Sequence, residues 1–317
     1  MRQIRRRNSS DPTERIPPGV EEVISRGSCH VGKLNDTTVL KYTSDFNDPG
    51  YLTSIKVEHK ILQLLGPHPH IVELKGLAED GIILKYYPNG TLRSYIKNHP
   101  YETLERRLEW AKQLVDTLSF VHAKRVVHCD VCLHNVLLDE NLNVILADFQ
   151  GLLLSSTTGK PLLDGLTRES SKSFMPRDNV YFASYRTDLF AVGSAIYHLI
   201  AGHEVFPELD SIDDENVINA RFVNGVFPSN DYVASHIVEK CWMGQYESAA
   251  EISADIAEVQ AIRKDVEDSL KHGEEDALKQ GALNHEEVLK HESDSESEEV
   301  SKDEEDEDED AEYEEEL

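Results

Sequence analysis

The chain has 317 residues, and its 32 lysines and arginines are outnumbered by 60 aspartates and glutamates, which gives a formal net charge of −28. Residues 292–317 alone contain seventeen acidic residues and one lysine, a net charge of −16. A surface this acidic repels phosphate backbones, so we expect no nucleic acid as a main partner. The longest nearly apolar stretch, residues 189–201, is shorter than the ~18 residues that span a bilayer, so we also expect no membrane segment.

Both ends of the chain are predicted to be unfolded. Residues 1–19 form a basic, disordered start without the apolar run of a secretory signal. Residues 263–291 predict a charged helical extension, and 292–317 a disordered acidic tail that cannot bury apolar surface. Four irregularly spaced cysteines are too few for a disulfide framework, which favours a reducing compartment. We expect a cytoplasmic monomer, with the nucleus left open as its location.

The first part of the body, residues 20–84, predicts a small β-sheet with one helix. Short β-rich runs bounded by Gly, Asn and Asp occur at residues 23–24, 39–42, 71–74 and 82–84. Residues 55–65 instead carry apolar side chains at helical spacing, and Gly66 with Pro67 ends that helix.

After a turn at residues 88–90 the pattern becomes mainly helical. Residues 104–122 carry an apolar stripe, and residues 189–200 are apolar nearly all round, which is typical of a buried helix. Apolar residues that step by three or four between positions 252 and 270 predict a final amphipathic helix. The body therefore belongs to the α+β class.

The most informative segment lies between these helices. Asp130 and Asn135 are five residues apart, and Asp148 follows a short apolar hairpin. Phosphoryl transfer needs such groups, because positioning and charge neutralisation supply most of its catalysis. In this interpretation Asp130 accepts the proton of the substrate hydroxyl, while Asn135 and Asp148 bind Mg²⁺. Each residue alone is weak evidence, since an isolated Asp or Asn is usually a turn or cap residue.

Together these motifs resemble the protein kinase superfamily from about residue 23 to residue 242. Short sequence segments in this range are similar to those of small, divergent fungal-type serine/threonine kinases. The resemblance implies a two-lobed protein-kinase-like fold. Its N-lobe, a small antiparallel sheet plus one helix, would span residues 20–84, its hinge 85–90 and its mainly helical C-lobe 91–262. It also implies ATP and Mg²⁺ as cofactors and a protein as substrate.

The same resemblance assigns roles to single residues. Asp130 would be the catalytic base, Glu58 would pair with the ATP lysine, and Asp188 would anchor the catalytic loop. The residues expected to contact the nucleotide are Gly27, Lys41, Leu84 as gatekeeper, and the backbone of Lys85, Tyr86 and Tyr87. Without the downstream motifs, Glu58 would be interpreted as an ordinary solvated helix residue.

The sequence departs from the family at several catalytic positions. Residues 25–32 keep only Gly27 of the glycine-rich loop that covers the phosphates. Cys129 replaces the arginine that receives an activation-loop phosphate in the family. Cys132 replaces the lysine that helps to neutralise the γ-phosphate, and Gln150 replaces the glycine of Asp-Phe-Gly. Losing one such preorganised charge costs on the order of 10²-fold in rate.

The activation segment also departs from the pattern. Its closing Ala-Pro-Glu is absent, with Met175-Pro176-Arg177 the nearest match, and the arginine that pairs with that Glu is missing as well. Loss of both partners leaves no unpaired charge, so we expect this segment to be held by other contacts.

Other functions remain open at this point. A pseudokinase scaffold would keep the fold without turnover, and a phosphotransferase of the aminoglycoside-kinase type uses a similar His-x-Asp-x-x-x-x-Asn loop. Cys129 and Cys132, flanked by two histidines, also resemble half of a zinc site or a redox pair. The presence of Lys41, Glu58, Asp130, Asn135 and Asp148 together favours an active protein kinase.

Overall fold

The computed structural model describes residues 15–27, 29–43, 45, 48–228 and 231–272. The chain divides into two compact units, Met1–Gln260 and Ala261–Leu317. The first unit contains a five-stranded antiparallel sheet followed by a mainly helical part, which confirms the predicted α+β fold with two lobes. In the second unit residues 261–272 are helical, while the rest of the predicted extension and the whole predicted acidic tail lie outside the described residues.

The sheet has the strand order β1-β2-β3-β5-β4, so β3 lies at its centre. Its strands are β1 (Glu22–Ser25), β2 (Cys29–Lys33), β3 (Thr38–Thr43), β4 (Leu74–Leu77) and β5 (Gly81–Lys85). Lys41 on β3 pairs with Val31 on one side and Ile82 on the other. A Cβ added to Gly81 would lie 2.0 Å from the Lys41 carbonyl oxygen, so only glycine allows β5 to approach β3 this closely.

Helix α1 (Pro49–Leu65) packs against this sheet and begins six residues earlier than the predicted helix at 55–65. The Asp48 side chain accepts the Gly50 N–H at 2.7 Å, and Pro49 occupies the first helical position. These are the two standard signals of a helix N-terminus, and they explain the earlier start. The predicted end at Gly66 is confirmed, since this residue adopts a φ of +70°.

The predicted strand at residues 71–74 is wrong. The Val72 N–H donates to the Leu146 carbonyl, and the Leu146 N–H donates to the His70 carbonyl, each at 2.9 Å. Both Ile71 and Val72 are buried. The run is extended, as its β-rich composition indicates, but Ile71 and Val72 pair with a strand of the following part of the chain, while β4 begins only at Leu74.

The helical part contains α2 (Leu92–Asn98), α3 (Leu104–Ala123), α4 (Tyr185–Ala201), α5 (Glu215–Val223), α6 (Ser235–Trp242) and α7, residues 249–260. Helix α3 agrees with the prediction, α4 begins four residues before the predicted 189–200, and twelve of the 17 residues of α4 are buried. None of the helices described in this structure is both long and apolar enough to cross a membrane.

Five short strands support the loops between α3 and α4. The hairpin of β7 (Val136–Leu138) and β8 (Val144–Leu146) forms one small sheet. A second sheet has the order β10-β9-β6 and consists of β6 (Val126–Val127), β9 (Leu152–Leu154) and β10 (Pro161–Asp164). Residues 128–135 and residues 147–151, which carry the predicted chemistry, therefore lie in loops that are fixed at both ends by strands.

The N-terminal boundary also differs from the prediction. Residues 15–19, which the sequence places in the disordered start, form part of the first unit, where Pro17 is buried and its carbonyl accepts the Val20 N–H. The Arg15 guanidinium contacts the Asp80 carboxylate at 2.9 Å. Residues 1–14 lie outside the described part of the chain.

Candidate active site

Lys41 lies between two carboxylates at the centre of the candidate site. Its Nζ atom is 2.6 Å from Glu58 Oε2 and 2.7 Å from Asp148 Oδ1. The side chain of Glu58 is fully buried and that of Lys41 is 7% exposed, whereas that of Asp148 is 34% exposed. The structure thus brings the predicted lysine and glutamate together, and it adds Asp148 from a loop 107 residues further along the chain.

The charges of this cluster affect one another strongly. Burial alone would lower the pKa of Lys41, but the carboxylates of Asp148 and Glu58 outweigh it and raise that pKa above its usual range. Burial raises the pKa of Glu58, whereas Lys41 outweighs burial at Asp148 and lowers the pKa of that carboxyl. One ammonium shared by two carboxylates leaves an excess negative charge, and this charge is exposed at Asp148.

The backbone fixes the position of Asp148. Its φ of +67° lies in the left-handed region, which Asp tolerates better than most residues. The next residue, Phe149, is fully buried and packs edge-on against the His128 ring, with 5.0 Å between ring centroids. Because Phe149 is anchored in the core, the carboxylate before it is held beside Lys41.

A buried aspartate on α4 holds the loop that carries Asp130. Asp188 accepts the backbone N–H groups of His128 at 2.8 Å and Cys129 at 2.9 Å, and it contacts His122 Nε2 at 2.9 Å. Hydrogen bonds to an ionised carboxylate are among the stronger ones in proteins. The role predicted for Asp188, anchoring this loop, agrees with these contacts.

Asp130 and Asn135 contact each other directly. The Asn135 side-chain amide donates to both the carbonyl oxygen and the carboxylate Oδ2 of Asp130, each at 2.9 Å. Burial, followed by the negative charge of Asp148, raises the pKa of Asp130 to about 7. A carboxylate with a pKa near neutrality is suited to accept a proton from a substrate hydroxyl.

Asn135 and Asp148 each keep one oxygen that accepts no hydrogen bond from a described residue. Asn135 uses its amide nitrogen on Asp130, and Asp148 uses Oδ1 on Lys41. Mg²⁺ is typically held by one or two such protein oxygens together with substrate phosphates and water. Within the described ranges no group of three or more His, Cys, Asp or Glu side chains could hold a metal by itself. The site therefore fits a magnesium ion that is bound jointly with a nucleotide.

Gly27, the predicted remnant of the phosphate-covering loop, is exposed between β1 and β2. Its N–H points to His30 Nδ1 at 3.4 Å. A Cβ added there would meet only the Cys29 carbonyl oxygen, at an ordinary 3.5 Å. The fold itself therefore does not require glycine at this position. The next residue, Ser28, is outside the described residues.

The predicted hinge follows Leu84, which is buried on β5. The Lys85 N–H donates to the Glu73 carbonyl at 2.9 Å, and the Tyr86 N–H donates to the Thr37 carbonyl at 2.8 Å. These two donors are thus used within the sheet and its edge. Among the three residues predicted to bond adenine, only Tyr87 has an N–H that donates to no described residue.

Cys129 and Cys132 occupy different environments. Cys129 is fully buried in a small apolar cluster with Val127, Leu152 and Ala183. Cys132 instead borders a cavity of about 260 Å³ that is also lined by Asp130. Both cysteines are free, and burial raises the pKa of both thiols well above the usual range. Among the described residues, Cys129 and Cys132 form neither a disulfide nor part of a metal-binding cluster.

The segment after Asp148 contains two buried contacts that the sequence did not predict. Gln150 Nε2 donates to Glu58 Oε2 at 3.0 Å. Glu169 and Arg177 form an ion pair at 2.7 Å, with side chains 0% and 7% exposed. The Arg177 guanidinium also stacks on Phe174, 4.1 Å from the ring centroid. Met175-Pro176-Arg177, the nearest match to the missing Ala-Pro-Glu, thus supplies one partner of the contact that holds this segment.

Comparison with known proteins agrees with this geometry. A family model described as a protein kinase domain matches residues 29–257. The curated relatives include serine/threonine-protein kinase PKH2 of Saccharomyces cerevisiae, 31% identical over 48% of this chain and 15% of that protein. They also include serine/threonine-protein kinase PDK1 of Cryptococcus neoformans, 31% identical over 44% of this chain and 12% of that protein.

A third relative is serine/threonine-protein kinase SIK2 of Gallus gallus, 27% identical over 67% of this chain and 28% of that protein. The aligned part of this chain spans between about an eighth and a quarter of the length of these three relatives. The family model covers well over half of the chain. The chain belongs to the protein kinase family.

Proposed function

We propose that the protein is an ATP- and Mg²⁺-dependent kinase that transfers the γ-phosphate to serine or threonine hydroxyls of a protein substrate. The observation that carries the proposal is the contact of Lys41 with both Glu58 and Asp148. These three residues come from a strand, a helix and a distant loop, and the fold alone does not require a buried cation between two carboxylates. The three relatives named above are all serine/threonine-protein kinases, which supports the choice of acceptor.

In this proposal each polar group has a separate task. Lys41, oriented by Glu58, binds the α- and β-phosphates of ATP. Asp148 and Asn135 hold Mg²⁺, which would supply positive charge to the phosphate oxygens when bound. Asp130 orients the acceptor hydroxyl and takes its proton as the new O–P bond forms and the bond from the γ-phosphorus to the bridging oxygen of the leaving ADP breaks. The amide of Asn135 keeps the Asp130 carboxylate pointing in one direction.

Cys132 bears on the rate that this arrangement can reach. It borders the cavity next to Asp130, where two cations, Arg93 and Lys172, also line the wall. Both cations contact Glu204, Arg93 at 2.9 Å and Lys172 at 3.4 Å. The positive charge near the acceptor thus comes from residues outside the catalytic loop and is partly neutralised, which favours an active enzyme with a low turnover number.

Two measurements in sequence test the function. In the first, a thermal-shift titration with Mg²⁺ and ATP should stabilise the full chain by about 2.7 kcal/mol at a ligand concentration a hundredfold above Kd. In the second, transfer of radiolabelled phosphate to a general protein substrate should occur with the wild type and be lost with Asp130→Asn. Absence of any thermal shift would overturn the proposal.

The alternatives give different results in the same experiments. A nucleotide-binding pseudokinase shows the thermal shift with equal, background-level labelling for wild type and Asp130→Asn, and a nucleotide-free pseudokinase shows no shift. A small-molecule phosphotransferase labels an aminoglycoside in preference to protein. We also propose a cytoplasmic monomer, which size-exclusion chromatography with light scattering and imaging of a tagged full-length chain would test.

A further inference from the structure

Gln150 connects three elements around the catalytic lysine. Its side-chain nitrogen donates to Glu58 Oε2 on α1 at 3.0 Å and lies 3.4 Å from the Cys29 sulfur on β2. Its side-chain oxygen lies 3.4 Å from the Thr167 hydroxyl, which can donate to it. A glutamine amide has two N–H donors and one carbonyl acceptor, so this environment engages both ends of the group.

The Glu58 oxygen that receives the Gln150 amide is the same oxygen that contacts Lys41. Oε2 of Glu58 is thus contacted by an ammonium at 2.6 Å and by an amide at 3.0 Å, with the glutamate fully buried and Gln150 4% exposed. In such a dry environment a hydrogen bond to a charged oxygen is strong. The Gln150 contact therefore acts on the very atom that orients the lysine.

The main chain of Gln150 is held by tightly packed neighbours. A Cβ on Gly165 would lie 2.2 Å from the Gln150 carbonyl oxygen, and a Cβ on Gly151 would lie 2.1 Å from the Val127 carbonyl oxygen. Only glycine fits at these two positions without movement of the backbone. Because the backbone on both sides is packed so closely, the amide of Gln150 reaches Glu58 from a fixed point.

We propose that Gln150 is a positioning residue that holds Glu58 on α1 against Lys41, so that the ATP-binding arrangement forms without a phosphate on the activation segment. This inference rests on the proposed kinase function. It is supported by Cys129, which offers no cation for such a phosphate and is buried in an apolar cluster. In this protein the uncharged side chain of Gln150, and not an added phosphate group, links α1 to the segment after Asp148.

The first test compares two truncations in the full-length protein. Gln150→Ala removes the amide from Glu58. Gln113→Ala is the matched control, because the Gln113 amide also has both ends bonded, to Glu109 and Asn143 through Nε2 and to the Val144 N–H through Oε1, away from the site. Loss of one hydrogen bond to a charged group corresponds to about a tenfold effect or more. We expect kcat/KM for ATP to fall about tenfold with Gln150→Ala and to stay unchanged with Gln113→Ala, although both variants lose stability.

The second test restores the contact with the roles of the two residues exchanged. Gln150→Glu adds a carboxylate beside Glu58, and Glu58→Gln removes the one that Lys41 contacts, so each alone should lower kcat/KM for ATP. The double variant Glu58→Gln/Gln150→Glu restores both the net charge and a donor–acceptor pair. We expect kcat/KM for ATP to be higher in the double variant than in Gln150→Glu. If the two side chains only filled space, the effects of the two single variants on kcat/KM would multiply in the double variant.

Hydrogen–deuterium exchange provides a readout that does not need turnover. In Gln150→Ala the amides of α1 (Pro49–Leu65) should exchange faster, while those of α4 (Tyr185–Ala201) should not change. Faster exchange in α1 would support the role of Gln150 even if the wild type transferred no phosphate. The absence of phosphate transfer would count against the proposed kinase function alone. Unchanged exchange in α1, or a kcat/KM for ATP equal to that of the wild type, would overturn the role assigned to Gln150.

Discussion

Two buried ion pairs of this protein differ in what surrounds them. The Lys41 contact with Asp148 joins residues 107 positions apart, whereas Arg177 contacts Glu169 only eight positions away. Lys41 is shared by two carboxylates, and Arg177 has one. The local pair balances its own charge and can hold a segment in shape. The long-range cluster carries a surplus carboxylate, which suits a ligand that brings positive charge with it.

The difference predicts opposite outcomes when each site is broken. Removing one partner of a balanced buried pair leaves an uncompensated charge and costs about 3–5 kcal/mol of stability. Removing the surplus carboxylate from the Lys41 cluster leaves Lys41 still paired with Glu58. Its loss should therefore affect chemistry much more than folding.

The largest expected effect is that of Asp148→Asn. If the proposed function holds, phosphate transfer should fall by about 10³-fold, because the variant loses the negative charge that would hold Mg²⁺ against the transferring phosphate. Urea unfolding should show little or no loss of stability. The rate is measured by radiolabel transfer under saturating ATP. A variant that unfolds at much lower urea concentration would show that Asp148 belongs with the structural pair.

Arg177→Ala should have the largest effect on stability. It leaves the Glu169 carboxylate fully buried without its partner, so the free energy of unfolding should decrease by about 3 kcal/mol. Urea denaturation measures the change. The double variant Glu169→Leu/Arg177→Met removes both charges and should recover most of the loss. Equal destabilisation by the single and double variants would contradict the assignment of this pair as a balanced one.

The pH dependence of activity should follow Asp130. With its pKa at about 7, kcat/KM for the protein substrate should rise about tenfold per pH unit below that value and level off above it. Initial rates across a series of buffers measure the profile. A flat profile between pH 5.5 and pH 7 would exclude Asp130 as the proton acceptor.

Stability should change with pH in the opposite direction. The folded protein binds the Asp130 proton more tightly than the unfolded chain, where the pKa is near the usual 3.8. Stability from this group is therefore fully present below pH 3.8 and is lost as the pH rises towards 7. Asp130→Asn removes this loss, so the variant should melt at a higher temperature than the wild type at pH 8. A lower melting temperature would contradict the prediction.

The smallest effect is expected at an exposed ion pair. Arg186 and Glu247 approach to 2.7 Å, but their side chains are 56% and 72% exposed. Arg186→Ala should change the free energy of unfolding by less than about 1 kcal/mol, and by less still at high salt. Urea denaturation at two salt concentrations measures both values. A loss as large as that of Arg177→Ala would show that burial does not separate these pairs.

Much of the site can be predicted from spacing and resemblance. Asp130, Asn135 and Asp148 lie on two short loops whose order is visible in the chain, and resemblance added Lys41 and Glu58. The contact of Gln150 with Glu58 could not be found this way, because 92 residues separate them and only the tertiary fold brings them together. Glu169 and Arg177 are close in sequence, but charged residues eight apart carry no pairing signal outside a helix.

Some parts of the fold could be predicted from the sequence better than others. Class and helix positions follow from apolar periodicity, as for α3 and α4. The extended run at residues 71–74 shows the limit of such patterns. Its composition correctly indicates an extended backbone, but composition does not say which strand the run will bond to. The Val72 N–H donates to Leu146 in the C-lobe, whereas the Glu73 carbonyl accepts the Lys85 N–H in the N-lobe.

Two hydrogen bonds to Leu146 also determine how α1 can move. The helix ends at Leu65, and His70 and Val72, five and seven residues later, are hydrogen-bonded to Leu146 in the C-lobe. A rotation of α1 would therefore pivot near Leu65. Glu58 lies roughly 10 Å from that pivot at 1.5 Å per residue. At that distance a rotation of about 15° would carry the Glu58 carboxylate about 2.5 Å, enough to separate it from Lys41.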